Sequence, residues 1–313
     1  MILVANAGSS SIKLSVVTRN EESRDVASLD EIPYGVNGVA HRIVHGGQRF
    51  RDPTVIDDAV RDAIESLGDL APLHNRNEVR LVDEARRLLP EIPHVAVFDT
   101  AFHTTMPEEA TTYPVPSHWR EEWGIRRYGF HGLSLQWAAE RVAVSRLVVC
   151  HLGAGCSVSA VLDGHSADTS MGFSPLAGVA MATRSGSIDP SIPLYLLRTG
   201  RLGAPDIEQA LEHDSGLLGL SGISSRAEEL ERSAAPSAQL ALAVFVHQVA
   251  AAVGAMTVSL GGIDALVFTG GIGEGSAAIR AGICRRLAFL GVVIDEERNA
   301  VAVPDAERSE SVV

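Results

Sequence analysis

Three short stretches carry groups that phosphate chemistry needs: VANAGSSSIKL at residues 4–14, CHLGAGCSV at 150–158 and TGGIGEG at 269–275. A turn of small residues between strands exposes N–H groups that converge on an anion, and the hydroxyls of Ser9 and Ser11 add donors. Glycine lets the backbone approach because no Cβ stands in the way. Lys13, the one lysine among 26 Lys and Arg residues, supplies a point charge to a polyphosphate. Two familiar phosphate motifs are excluded. There is no G-x-x-x-x-G-K-[ST] run, and Gly153 and Gly155 precede a strand-like segment, whereas a dinucleotide fingerprint opens a helix. The third loop does lead into a predicted helix, 276–289, whose first N–H groups suit a ribose or phosphate. Together the loops predict a nucleotide site of a non-P-loop kind.

The elements that must position these loops follow from the hydrophobic pattern. Residues 2–6 read as a strand, 7–11 as a turn and 12–18 as a returning strand, while 39–45 is a further strand stopped by Gly46 and Gly47. Helices are predicted over 57–67, 76–89 and 133–143, a short strand over HVAVFD, and irregular chain over 113–130. The opening pattern then returns at 149–162. At an offset of 145 residues, Asn6 falls on His151, Gly8 on Gly153, Ser11 on Cys156 and Ile12 on Ser157. A second echo pairs VAVFDTAFH (95–103) with ALVFTGGIGE (265–274). Two echoes in the same order predict a duplicated α/β chain, divided as 1–144 and 145–313, with the repeated turns lining a cleft between the halves.

Composition bounds the rest. A chain of 313 residues is long enough for two cores. A formal charge of -13 offers no basic footprint, so neither nucleic acid nor an anionic membrane is an expected partner. Cys150, Cys156 and Cys284 lack framework or metal-site spacing and fit a reducing cytoplasm. The N-terminus carries no basic region of the signal-peptide kind. Residues 239–261 are apolar enough to suggest a membrane span. His247, Gln248 and Gly254 interrupt that run and no basic flanks anchor it, so it reads as a buried core helix.

The motifs VANAGSSSIKL, HRIVHGG, APLHN, VFDTAFHTTMP, YGFHG, CHLGAG, DTSMGFSPLAG, ATRSGSIDP and FTGGIGE, in that order, strongly resemble the acetate kinase family. The resemblance runs from residue 3 to about 300. It implies an α/β fold of two duplicated ribonuclease-H-like domains, the actin-like ATPase arrangement shared with sugar kinases and Hsp70, with a nucleotide cleft between them. The first domain would handle the acyl substrate and phosphate, the second the nucleotide. The implied reaction is reversible, Mg²⁺-dependent phosphoryl transfer from ATP to a short carboxylate, with Mn²⁺ a substitute metal. A cytoplasmic homodimer is implied as well.

The resemblance also assigns residues. Arg42 and Arg184 match the arginines that hold the carboxylate and the transferring phosphoryl group, for which a planar guanidinium is suited. His131 matches a histidine that steadies the transition state, and His74 another histidine of the site. Asp99 matches an essential aspartate that orients either an arginine or a metal-bound water, and Asn6 a magnesium-site residue. Val44, Leu73, Phe130 and Pro175 match the apolar pocket for the substrate's methyl group. Lys13 with Ser9 and Ser11 matches an ATP contact. His151, Leu152, Gly153, Ala154 and Gly155, and Gly271, Ile272, Gly273, Glu274 and Gly275, match nucleotide loops. Read without the family, the arginines are ion-pair partners, the histidines structural, Asp99 a turn residue and the apolar four ordinary core.

Four departures stand against the pattern. Ala154 replaces the family's usual asparagine, SGISSRAEEL (221–230) differs on the adenine side, and the segment between 18 and 39 is short. The family's magnesium-site glutamate belongs to a segment beyond the match, so no residue is assigned that role. Propionate or butyrate kinase stays open as an alternative, as does a nucleotide-binding relative without turnover.

Overall fold

The computed structural model describes residues 1–7, 12–69 and 75–302. The chain forms two compact units, Met1–Thr104 with Phe130–Leu133, and Thr105–Gly129 with Ser134 onward.

The first unit is built on six strands: β1 (Ile2–Ala7), β2 (Ile12–Val17), β3 (Ser23–Val26), β4 (Val39–Ile43), β5 (Thr54–Val55) and β6 (His94–Phe98). Their order across the sheet is β3-β2-β1-β4-β6-β5. β1, β4 and β6 run parallel, while β2, β3 and β5 are antiparallel to their neighbours. Strict alternation decides the faces. Leu3, Ala5 and Ala7 of β1, Val39 and Ile43 of β4, and Ala96 and Phe98 of β6 point into the core. Helix α1 (Asp58–Ser66) starts where the Asp57 side chain accepts the Val60 N–H at 2.7 Å. Helix α2 (Asn75–Leu88) sends Leu81 into the cluster of Leu3, Leu14 and Val16, and Val79 and Val82 into that of Ile43, Ile64 and Phe98.

Two histidines share that buried side. His41 Nε2 lies 2.9 Å from His94 Nδ1, and His94 Nε2 lies 3.1 Å from the Leu89 carbonyl. A carbonyl only accepts, so His94 carries its proton on Nε2 and accepts on Nδ1, and His41 Nε2 donates. Among the described residues, His41 Nδ1 is then a buried acceptor without a hydrogen-bond partner. Burial, reinforced by His94, pushes His41 down to about 3, and burial lowers His94 too.

The second unit repeats the scheme with β7 (Arg146–Leu152), β8 (Cys156–Leu162), β9 (His165–Thr169) and β10 (Ala265–Thr269), ordered β10-β7-β8-β9. β10 is parallel to β7, and β7–β8–β9 is an antiparallel meander. This matches β4-β1-β2-β3 strand for strand, so the duplication is present. The predicted alignment needs two corrections. Ala7 pairs with Ile12, and Leu152 with Cys156. The second turn is therefore one residue shorter, and Ile12 corresponds to Cys156, not to Ser157. β10 sits beside β7 as β4 sits beside β1, so its counterpart is β4 and not the β6 segment VAVFD.

The predicted division at 144/145 also differs from the compact units. Residues 105–129 and the chain from Ser134 are tied to the second sheet by bonds that no spacing reveals. The Thr105 hydroxyl donates to the Ser166 carbonyl at 3.0 Å, and Arg127 Nη1 donates to the carbonyl of Thr169 at 2.8 Å. Helix α3 (Gly132–Arg141) begins in the first unit and continues in the second. Residues 113–130, expected to be irregular, hold one short helix, Ser117–Glu121.

The second unit's remaining labelled helices are α4 (Ser191–Arg198), α5 (Ala204–His213), α6 (Pro236–Leu260), α7 (Gly270–Gly275), α8 (Ala277–Arg286) and α9 (Glu296–Val301). The apolar α6 is long enough to cross a membrane by length and composition. It buries one stripe, including Phe245, Val249, Val253 and Met256, and packs on β7 and β8 as the expected core helix. Each such large side chain contributes about 1.5–3 kcal/mol when buried.

Candidate functional site

In the first unit the parallel strands end together and their outer faces converge. Asn6 on β1 is the register partner of Arg42 on β4. The ladder runs one residue past β6, where the Asp99 N–H donates to the Ile43 carbonyl at 3.0 Å. Alternation thus puts Asn6, Arg42 and Asp99 on one face, away from His41 and Ile43. Crevices outside the carboxyl ends of parallel strands are where open α/β sheets bind ligands.

The three side chains form one cluster. Arg42 Nε donates to Asp99 Oδ1 at 3.1 Å, Arg42 Nη2 to Oδ2 at 2.5 Å, and Arg42 Nη1 to Asn6 Oδ1 at 3.0 Å. The Asp99 side chain is 2% exposed and that of Arg42 24%. The Asp99 carboxylate beside it holds Arg42 above its already high range. Of the two roles left open for Asp99, its geometry is that of orienting an arginine.

Asp99 is itself held from behind. Its carbonyl accepts the Gly132 N–H at 2.9 Å. A Cβ at Gly132 would come within 2.2 Å of that oxygen and 2.9 Å of Phe102 Cβ, so only glycine fits there. One residue earlier His131 has φ 62°, the left-handed region that a non-glycine residue adopts at a cost. The Phe130 carbonyl accepts from His103 Nε2 at 2.9 Å. His131 is therefore fixed between two anchored neighbours. Phe130 and Val44 are buried in this unit, and Phe130 meets the His45 ring edge-on at 5.5 Å. Leu73, His74, Ser9 and Ser11 lie outside the described residues, and Lys13 is exposed on β2 opposite Asn6.

Sequence reasoning missed Glu78. It lies on α2 in step with Val82 and Ala85, so helical periodicity places a carboxyl on the core face, and that is the signal that was available. It is 1% exposed, and its two oxygens share the Val44 N–H at 3.2 and 3.1 Å. Asn75, three residues earlier, donates Nδ2 to the His45 carbonyl at 3.1 Å. The start of α2 thus holds the backbone on both sides of the Val44–His45 link. Burial pushes Glu78 up to about 8, and Asp99 adds to the rise, while the Val44 N–H and Arg42 pull the other way.

In the second unit the two glycine loops meet. A Cβ built on Gly153 would stand 3.9 Å from the Gly271 nitrogen and 4.0 Å from His151 Nε2. Gly270, at φ 78°, lies so close to Leu152 that a Cβ would come within 2.7 Å of its carbonyl oxygen. His151 Nδ1 is 3.0 Å from the Ser134 hydroxyl and 3.1 Å from that of Thr269. Thr269 is the register partner of His151, as Arg42 is of Asn6. Leu152 is buried and Ala154 exposed. The stretch from Gly271 to Gly275, Ile272, Gly273 and Glu274 included, forms most of α7, where Glu274 Oε1 accepts the Gly270 N–H at 3.0 Å.

Arg184 lies in the loop before α4, its Nε 3.1 Å from Glu212 Oε2 on α5, a partner the sequence does not announce. Pro175, half-buried, also belongs to the second unit. The three cysteines are buried, and burial raises each thiol, so none is a nucleophile at neutral pH.

Asn6 is the residue on which a metal would depend. Arg42 Nη1 fills the place that a cation would take at Asn6 Oδ1. Among the described residues no group of three His, Cys, Asp or Glu side chains could hold an ion. The residues present therefore suit a divalent ion that arrives on a polyphosphate and keeps most of its waters, not a resident one.

Known proteins resemble the chain over most of its length. The family model described as the acetokinase family matches residues 25–312. The acetate kinase of Nostoc punctiforme is 46% identical over 275 residues, which is 84% of this chain and 68% of that protein. The propionate kinase of Salmonella typhimurium is equally similar, 46% over 275 residues, with the same coverage of each chain. Among solved structures, a propionate kinase from Francisella tularensis superposes with TM-score 0.89 at 36% identity, covering 96% of this chain and 91% of that one. The acetate kinase of Porphyromonas gingivalis gives 0.84 at 32% identity, covering 97% and 91%.

Proposed function

Because the chain belongs to the acetokinase family and has its actin-like α/β fold, we propose that it transfers the terminal phosphoryl group of ATP to acetate, reversibly, giving acetyl phosphate and ADP. The observation that carries this reading is the Asn6–Arg42–Asp99 cluster. Nucleotide binding alone has no use for an arginine held rigid by a buried carboxylate at the ends of three parallel strands.

The chemistry follows from charge. Both reactants are anions, and a carboxylate is already ionised at neutral pH, so no strong base is required. Transfer needs in-line placement and cations that neutralise the moving group. Arg42 and Arg184 hold the carboxylate and the transferring phosphoryl group. Asp99 and Asn6 fix the plane of the Arg42 guanidinium, and His131, with its backbone fixed on both sides, donates to the transition state. Lys13 and the loops at 151–155 and 271–275 take the nucleotide. Mg²⁺, or Mn²⁺ in its place, would enter as part of the MgATP substrate and neutralise charge on its phosphates, with Asn6 the residue that would face it.

On this reading Val44, Leu73, Phe130 and Pro175, which match the family's apolar positions, receive the substrate's methyl group. Such a pocket separates acids differing by one methylene by only about 1–3 kcal/mol. Propionate is therefore the second substrate to test, as the propionate kinases among the relatives suggest. The enzyme works in the cytoplasm as a homodimer, and exposed Ile192, Leu194, Tyr195 and Leu197 on α4 support the dimer.

Trapping acyl phosphate with hydroxylamine tests the reading, using ATP, Mg²⁺ and acetate, propionate or butyrate in turn. Hydroxamate with acetate, abolished in Arg184→Ala, is the expected result. ATP binding without hydroxamate from any acid would refute it and leave a nucleotide-binding relative without turnover.

A further inference from the structure

Arg42 is already balanced by one carboxylate. With Asp99 ionised, the Asn6–Arg42–Asp99 cluster has no net charge, and an anionic substrate is drawn only by the N–H groups that Asp99 and Asn6 leave free. A second ionised carboxyl nearby would turn the cluster negative. Glu78 is that second carboxyl. It interacts electrostatically with both Arg42 and Asp99 yet pairs with neither. Among the described residues its carboxyl accepts from one N–H, that of Val44, shared between its oxygens. One donor is too few for an ionised carboxylate sealed from water, which needs two or three.

We propose that Glu78 is a positioning residue that works as a neutral carboxylic acid, anchoring the Val44–His45 backbone while leaving Arg42 free to accept the substrate's carboxylate. The inference rests on the acetokinase reading for the identity of that anion. Among the described residues, the charged and titratable groups around Glu78 are Arg42 on β4, His45 just beyond it and Asp99 beyond β6. The Asp99 carboxylate holds Arg42 above its already high range, so Arg42 stays charged throughout. His45 Nδ1 accepts the Gly47 N–H at 2.9 Å, which fits an uncharged ring. Glu78 is the member of the group whose charge changes at mildly alkaline pH. The burial that raises its carboxyl to about 8 supports this.

The consequence is an alkaline loss of substrate affinity. One ionisation weakens acetate binding about tenfold for each pH unit above the midpoint. The test measures acetate affinity by calorimetry from pH 6.5 to 9.5 in the full chain and in Glu78→Gln, whose amide still accepts from Val44 but cannot ionise. In parallel, ¹³C-carboxyl NMR of glutamate-labelled protein follows the resonance that disappears in the variant. Glu78→Met serves for assignment if the glutamine variant does not fold.

A resonance titrating near pH 8, with an alkaline fall in acetate affinity that Glu78→Gln lacks, is expected. A resonance at the ionised position from pH 6.5 upward overturns the proposal, whether or not the protein turns over acetate. An alkaline fall that persists in Glu78→Gln also overturns it. A resonance titrating near pH 8 in a protein that makes no acyl phosphate would instead sink the kinase reading and leave the neutral carboxyl standing.

Discussion

Asp99→Asn should be costly well before any assay of turnover. The substitution keeps the shape and an acceptor oxygen but removes the charge facing Arg42. At about 3 Å and an effective dielectric of about 20, the pair is worth about 5 kcal/mol of Coulomb energy before desolvation is counted. Removing one partner of a buried pair costs about 3–5 kcal/mol. Arg42 keeps 24% of its side chain exposed, so water relieves part of that loss. The lower end, about 3 kcal/mol, is the expected value. All three tryptophans, Trp119, Trp123 and Trp137, belong to the second unit, so fluorescence would miss the effect. Hydrogen exchange of β1 and β4 reads it directly, and 3 kcal/mol corresponds to amides exchanging about a hundredfold faster. In Arg42→Met/Asp99→Asn the uncompensated cation is gone, and the double variant should recover about 2 kcal/mol relative to the sum of the singles. Strict additivity, or exchange less than fivefold faster in Asp99→Asn, would show that the two groups are not coupled.

Three further outcomes follow from the same geometry. His41 is lowered from 6.5 to about 3, so the unfolded chain takes up the proton first, and its stabilisation is full above pH 6.5 and lost as pH falls towards 3. Between pH 6.5 and 4.5 that amounts to about 2.5 kcal/mol, measurable as a drop in urea midpoint that His41→Leu should lack. Gly132→Ala drives a Cβ into the Asp99 carbonyl, so acyl-phosphate formation should fall at least tenfold with 1–3 kcal/mol lost on thermal melting. Arg280 on α8 is buried and donates to the carbonyls of Gly273 at 2.9 Å and Glu274 at 2.6 Å, and to Asn299 on α9. Arg280→Met should cost about 3 kcal/mol, seen in the tryptophan melt, and speed amide exchange in 270–275.

Asn6, Arg42 and Asp99 were legible through their family motifs, and their meeting on one face follows from the parallel register of β1, β4 and β6. The sequence did not make the strand pairing legible. β4 and β6 are both short apolar strands that end in polar loops, so either is a plausible mate for β10, and only hydrogen-bond register separates them. The offset past the first turn failed for a related reason: a one-residue deletion in a loop leaves no mark on the period of the strand that follows. A glutamate's type suggests a solvated helix face, whereas the phase of Glu78 with Val82 and Ala85 points to the core. Arg127 ties residues 105–129 to the second unit through main-chain carbonyls, which leave no trace in composition.

The matching strand orders mean that positions 6 and 42 in one half answer to 151 and 269 in the other. One scaffold has thus been furnished twice, with amide and guanidinium in the first copy and imidazole and hydroxyl in the second. These four side chains hold matching register positions at the strand ends, so an ancestral repeat could exchange them with little change elsewhere. Divergence of the two copies towards different ligands would then have required changes at a few sockets and none in the walls.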